Sequence, residues 1–214
     1  MGRQNSKWML PSIGAIAALC VACVCCSAVA LYFTGDQILV WLRGPGENPP
    51  IQVTGTEAPV NAASLPEWTV IVYAAADDEV LEESMWFDVN EMELVGSTSQ
   101  MNIVVQIDRY SGAFTGDGDW SDTRRYLITR DEDLDSITSP VVQSVGEVDT
   151  GDPQTLVDFA TWAIQNYPAK KYALVMSDHG GGWTGGFSDM SATSYSDLSI
   201  PEIVNSFEQI RQNT

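Results

Sequence analysis

After residue 26 the 214-residue chain contains no cysteine, because Cys20, Cys23, Cys25 and Cys26 are its only thiols. A disulfide framework is thereby excluded for everything that follows. Histidine is almost as scarce. His179 is the single one, and with all four cysteines inside one apolar run no zinc site is expected. Positive charge is the third shortage: seven Lys and Arg lie from residue 67 onward, against 26 of the 29 Asp and Glu, and the formal net charge is −19. Such a surface repels phosphate backbones, so no nucleic-acid partner is expected. Apolar side chains are not scarce. At 44% of the residues, with seven tryptophans, they call for a packed globular part rather than a disordered chain.

The N-terminal region has a different character. Residues 1–7 carry Arg3 and Lys7 and precede an uncharged run, Trp8 to Phe33, which exceeds the roughly 20 residues needed to cross a bilayer. With basic residues before it, the run is expected to be a single transmembrane signal anchor over residues 8–33, in contact with the lipid bilayer. That makes the protein single-pass in the cell membrane, with its C-terminal domain outside the cytoplasm. The alternative is secretion after cleavage near Ala30, where Ala28 and Ala30 form a small-residue pattern. Residues 34–66 hold Pro45, Pro49, Pro50, Pro59 and Pro66 among glycines, the composition of an extended extracellular tether.

From residue 67 to 214 the pattern alternates between strands and helices. "WTVIVYAAA", "MNIVVQID" and "KYALVMS" are short apolar runs suited to strands buried on both faces. Between the first two, residues 77–97 repeat Val80, Met85, Val89, Met92 and Val95 at helical spacing, with Gly96 as a stop. "TRRYLITR" alternates like a half-exposed strand. Asp152 and Pro153 open a second helix that Pro168 closes, and a capping box from Ser199 to Glu202 opens a third. Strands separated by helices predict an α/β fold, a mostly parallel sheet flanked by helices, with its chemistry at the carboxyl ends of the strands.

His179 lies at such an end, in "YALVMSDHGGGW". An imidazole there, followed by glycines whose backbone amides can approach a ligand, suits a general base beside an oxyanion site. Other acidic motifs read more simply. Asp117, Asp119 and Asp122 in "DGDWSD" lack the glycine and glutamate spacing of a calcium loop and suit a solvated turn. Asp77 and Asp78 suit a helix start, and "DEDLD" an exposed loop. No metal ligand set is expected from the sequence and no cofactor is required; calcium is conceivable but unsupported by any motif.

The ordered segments "WTVIVYAAADDEVLEE", "EMELVGS", "MNIVVQIDR" and "YALVMSDHGGGW" resemble the N-terminal half of clostripain-type cysteine peptidases, a family with a caspase-like fold. The resemblance implies that His179 is the catalytic base and that the Gly180 backbone amide helps bind the oxyanion; Asp178, next to the histidine, is a candidate for its support. It also implies an endopeptidase acting on peptide or protein substrates after basic residues. The family's nucleophile follows the next strand, and the chain ends at Thr214 without a cysteine there. The expected domain is therefore a sheet incomplete at its C-terminus, a fragment that is inactive alone, with no nucleophile of its own. Two other readings share local features: an α/β-hydrolase esterase using "HGGG" as its oxyanion loop, and a catalytically inactive anchored binding module.

Overall fold

The structure, a computed structural model, describes residues 29–34, 65–192 and 196–214. In chain order its elements are β1 (Val29–Thr34), β2 (Trp68–Ala76), α1 (Glu82–Met92), β3 (Met101–Arg109), β4 (Thr123–Leu127) and β5 (Val141–Gly146). They continue with α2 (Pro153–Asn166), β6 (Lys171–Ser177), β7 (Gly185–Ser188), β8 (Asp197–Ser199) and α3 (Ile200–Asn213).

The three apolar runs become the centre of a six-stranded sheet of order β1-β6-β2-β3-β4-β5. β2 pairs in parallel with β3 from Trp68↔Met101 to Ala76↔Arg109, and with β6 from Trp68↔Lys171 to Ala74↔Ser177. All three strands therefore end on the same rim. The parallel centre and flanking helices match the expected α/β architecture, while β4, β5 and β1 join at the flanks in antiparallel sense.

Alternation along β2 divides the core. Val72, Ala74 and Ala76 face α1, where they meet Met85, Trp86 and Val89. Ile71, Tyr73 and Ala75 face the opposite layer, with Leu156, Phe159 and Ala163 of α2. Because successive strand residues point to opposite faces, a run without polar residues covers both layers at once. α2 and α3 pack together through Val157, Ala160 and Ile210. Asp152 caps α2 by accepting the Gln154 N–H at 2.8 Å, with Pro153 in the first turn, and the capping box of Ser199 and Glu202 opens α3.

Several expectations are corrected. α1 is shorter than residues 77–97, because the Asp78 carboxylate accepts the Val80 and Leu81 N–H groups at 2.7 and 2.9 Å and holds a turn there. Val80 and Val95 consequently stand in solvent, 72% and 51% exposed, rather than on the buried face. Gly96 does close the segment: its φ of +66° suits glycine, and a Cβ there would lie 2.3 Å from the Arg130 nitrogen. β4 is not half-exposed. Arg125 is 6% exposed, donates to Gln106 Oε1 at 2.8 Å and Gln143 Oε1 at 2.9 Å, and lies over the Trp162 ring.

The N-terminal reading is corrected at one end. Residues 29–33, assigned to the apolar crossing, lie within β1, which pairs antiparallel with β6 from Val29↔Met176 to Thr34↔Lys171. An apolar, partly β-branched segment fits a sheet edge as readily as a membrane helix. The rest of the expected crossing, residues 8–28, and tether residues 35–64 lie outside the described residues. No helix among the described residues is long and apolar enough to cross a membrane.

One ion pair holds the α1 side of the rim. Arg109, at 0% exposure, donates to Glu82 Oε1 at 2.8 Å and to the Phe114 carbonyl at 2.6 Å, with its guanidinium over the Trp120 ring. The other Glu82 oxygen accepts the Phe114 N–H at 2.8 Å. Removing one partner leaves an uncompensated buried charge, which costs about 3–5 kcal/mol. Urea denaturation of Glu82→Ala is expected to show a loss of that size, and a loss below about 1 kcal/mol would show that the pair does not hold this rim.

Candidate active site

The strand register determines which loops meet. Ala74 lies beside Ser177, so Asp78, four residues on, and His179, two residues on, emerge from neighbouring strands at one rim. His179 Nε2 stands 3.2 Å from Asp78 Oδ1, with the imidazole 48% and the carboxylate 17% exposed. Because that carboxylate also accepts two N–H groups of its own turn, it is held in place before it meets the ring. With Nε2 engaged, Nδ1 is the nitrogen available for proton exchange with a reacting group. Asp78 thus combines the helix-start role read from sequence with a contact that sequence spacing could not show.

The glycines after His179 build a closed hairpin. Gly180 N–H donates to the Gly186 carbonyl at 3.2 Å, and Gly181 N–H donates to the Gly185 carbonyl. A Cβ on Gly186, whose φ is +118°, would lie 2.0 Å from the Gly181 nitrogen, so only glycine permits this approach. The amide that the resemblance assigns to oxyanion binding is therefore engaged within the hairpin in this conformation. At the turn, Trp183 is 89% exposed.

Asp178 anchors the hairpin from below. It is 2% exposed; one of its carboxylate oxygens accepts the His179 N–H and the other accepts the Ser188 N–H at 2.8 Å. Burial pushes its carboxyl up to about 6, while the Ser188 and His179 backbone donors and the nearby imidazole pull the other way. Its carboxylate faces the backbone that carries His179 rather than the imidazole.

A second group of carboxylates sits on the same rim. Asp77 follows β2, Asp108 is the penultimate residue of β3, Glu147 follows β5 and Asp189 follows β7, and one oxygen from each lies within 4.8 Å of the others. Asp77 and Asp108 are 0% exposed and Asp189 is 4% exposed, while Glu147 opens to solvent. Asp189 is well satisfied by Thr150, Ser191 and Ala192. Asp108 is not: neither of its oxygens has a hydrogen-bond partner, nor does Asp77 Oδ2. Burial pushes Asp108 up to about 9; the Thr123 hydroxyl moderates the rise without reaching hydrogen-bond geometry, and Glu147, Asp189 and Asp77 add to it. Burial and then Asp77 and Asp189 likewise push Glu147 up to about 7.

Sequence reasoning placed Asp77 at a helix start and passed over Asp108, Glu147 and Asp189. The visible signal was an aspartate near the end of each of two buried strands. The "DGDWSD" motif behaves as the turn expected of it: Asp117 accepts from Trp86 Nε1 at 3.0 Å, and Asp122 pairs with Arg124 at 2.8 Å. The "DEDLD" segment is largely exposed as expected.

The fold and this rim define a class: an α/β domain whose parallel strands deliver a histidine and its carboxylate partner to their carboxyl edge. Within that class the chain belongs to the clostripain family, peptidase family C11, whose family model matches residues 72–206. It is 34% identical over 125 residues to clostripain from Hathewaya histolytica, an alignment that covers 53% of this chain and 23% of that protein. The chain thus spans about a quarter of that relative's length. Its fold is similar to that of a secreted C11 cysteine protease from Bacteroides thetaiotaomicron in complex with an irreversible peptide inhibitor, with a TM-score of 0.53 and 20% identity. That match covers 67% of this chain and 39% of the other. A cysteine protease from B. fragilis matches 60% of this chain and 98% of its own at 23% identity, with a TM-score of 0.45.

The raised Asp178 carboxyl has a consequence for stability. A carboxyl whose folded value lies above its unfolded value binds its proton more tightly when folded, so its contribution to stability falls as pH rises from about 4 to about 6 and is flat above. Asp178→Asn keeps an acceptor oxygen but cannot titrate. Chemical denaturation of both proteins across pH 4–7 is expected to show a steeper decline in the parent, and parallel curves would remove Asp178 from the pH dependence.

Proposed function

We propose that this chain carries the histidine half of an exported cysteine endopeptidase site, with His179 as general base and Asp78 as its positioning residue. The observation that carries this reading is the 3.2 Å contact between His179 Nε2 and Asp78 at the carboxyl rim of a clostripain-family domain. The carboxylate favours the tautomer with its proton on Nε2, leaving Nδ1 to take the proton of a cysteine thiol. The thiolate adds to the peptide carbonyl, and the resulting imidazolium returns its proton to the amine as the C–N bond breaks. Water, deprotonated by the same imidazole, then releases the acyl group from sulfur. Backbone amides of the hairpin hold the oxyanion, which requires Gly180 N–H to leave the Gly186 carbonyl.

Residues 27–214 hold no thiol and Cys20, Cys23, Cys25 and Cys26 lie in the proposed anchor, so in this reading the nucleophile comes from a cysteine outside residues 1–214, and these residues alone are inactive. Preference for cleavage after basic residues follows from the resemblance and agrees with the acidic character of the domain, which attracts cationic peptides. The apolar stretch, shortened to residues 8–28 by β1, is proposed as the export signal and membrane anchor, with secretion after cleavage as the alternative. Family membership favours peptidase over esterase. An inactive binding module is the reading the experiment must separate.

In a protein that includes the nucleophile, His179→Ala is expected to lower kcat for a basic peptide substrate by about 100-fold or more with an unchanged melting temperature. An undiminished rate removes His179 from the chemistry. Asp78→Asn is expected to lower kcat at least about tenfold with little change in KM and to alter the pH profile of kcat, whereas a purely structural role would lower the melting temperature and leave that profile in place. Absence of cleavage in the parent across a panel of basic peptides would favour the binding module. Fractionation of producing cells checks the anchor, which predicts the protein in washed membranes rather than in the medium.

A further inference from the structure

The register of β1 fixes where the proposed anchor meets the domain. β1 runs antiparallel to β6, so its first residue, Val29, lies beside Met176 near the carboxyl end of that strand, three residues before His179. At about 3.3 Å per residue along the chain and about 5 Å between strands, His179 lies within about 15 Å of Val29. In the anchor reading the crossing ends at residue 28, which is bonded to Val29, so no spacer separates the bilayer from the carboxyl rim. The proline-rich stretch cannot supply one. Thr34 and Trp68 both lie level with Lys171, on either side of β6, so the chain leaves β1 and enters β2 at the opposite rim. Residues 35–64 read as a tether by composition, but they follow β1 in the chain and cannot hold the carboxyl rim away from the membrane.

The rim carries side chains that suit this position. Trp183 is 89% exposed at the turn of the hairpin, Val80 is 72% exposed in the turn that holds Asp78, and Met190 is 52% exposed. All three belong to the segments that follow β2 and β6 at their carboxyl ends, and the Met190 N–H donates to the Asp77 carbonyl at 3.1 Å, which joins the two segments. Tryptophan favours the membrane–water interface, where its ring meets lipid chains and its N–H meets headgroups. Exposed acids on the same rim, Glu79, Asp119 and Glu147, direct the contact to zwitterionic headgroups and against anionic lipid.

We propose that the carboxyl rim rests on the lipid bilayer, with Trp183, Val80 and Met190 in the headgroup layer, so that the pair of His179 and Asp78 opens toward the membrane surface. The proposal rests on the anchor reading and is independent of whether the protein cleaves peptides. The chains that reach His179 are then those lying at the same surface, segments that emerge from the bilayer or are attached to it.

Hydroxyl-radical footprinting of the full chain, reconstituted in phosphatidylcholine nanodiscs and read by mass spectrometry, tests it. The comparison protein carries a flexible Gly/Ser insertion of about 20 residues between Ala28 and Val29, which leaves β1 intact and lets the domain stand roughly 25 Å away from the bilayer. In the parent, Trp183 and Met190 are expected to oxidise severalfold more slowly than in the insertion protein. Phe87 on α1, 42% exposed, is expected to oxidise at the same rate in both. Equal rates at Trp183 and Met190 in a chain that does enter the nanodiscs overturn this proposal and leave the anchor standing. A chain that fails to enter them overturns both.

Discussion

The parallel register of β2, β3 and β6 is the constraint on which the rest of this structure depends. Three strands hydrogen-bonded in the same direction, with Trp68 level with both Met101 and Lys171, must finish on a common rim. Residues about 100 positions apart in the chain, Asp78 and His179, become neighbours because each follows one of these strands. The same geometry concentrates negative charge, since Asp77, Asp108 and Asp178 also lie where the strands end. A sheet buried on both faces keeps water from much of that rim, so each carboxylate there needs a specific partner.

The partners differ from one residue to the next. Along β3, Arg109 faces α1 and neutralises Glu82, whereas Asp108 on the opposite face meets the Thr123 hydroxyl and other carboxylates. Beyond β2, Asp77 turns toward that acidic group and Asp78 toward the imidazole. Two adjacent residues thus couple a charge-compensation problem to the placement of a histidine. The hairpin after His179 belongs to the same arrangement: it is fastened by Asp178 below, by glycine-only contacts across its neck, and by Asp189 at its exit.

Local signals were legible wherever burial and backbone geometry acted within a few residues. The three central strands, the caps at Asp152 and Ser199, and Gly96 as a stop all read directly from side-chain chemistry. Elements that depend on a partner were not legible. β5 has four exposed residues in a row, and β7 and β8 are short strands that pair only with each other. β1 read as part of a membrane crossing, because an apolar run has no feature of its own that separates a sheet edge from a bilayer segment. The strand carrying Arg125 read as half-exposed with neither face assigned to the core, although Gln106 and two aromatic rings enclose that arginine.

What the sequence determined by itself is the class of the fold, the position of His179 at a strand's carboxyl end, and the resemblance that family membership confirms. These follow from hydrophobic period, capping chemistry and residue order, all of them local or ordered along the chain. Only the tertiary structure decided that Asp78 is the partner of His179, that the Gly180 amide is held by Gly186, and that Asp77, Asp108, Glu147 and Asp189 gather at one rim with Glu147 alone open to solvent. The physical reason is that a carboxylate's environment is set by what crosses the sheet to meet it. Strand pairing and desolvation are long-range, and neither is written in the residues that flank an aspartate.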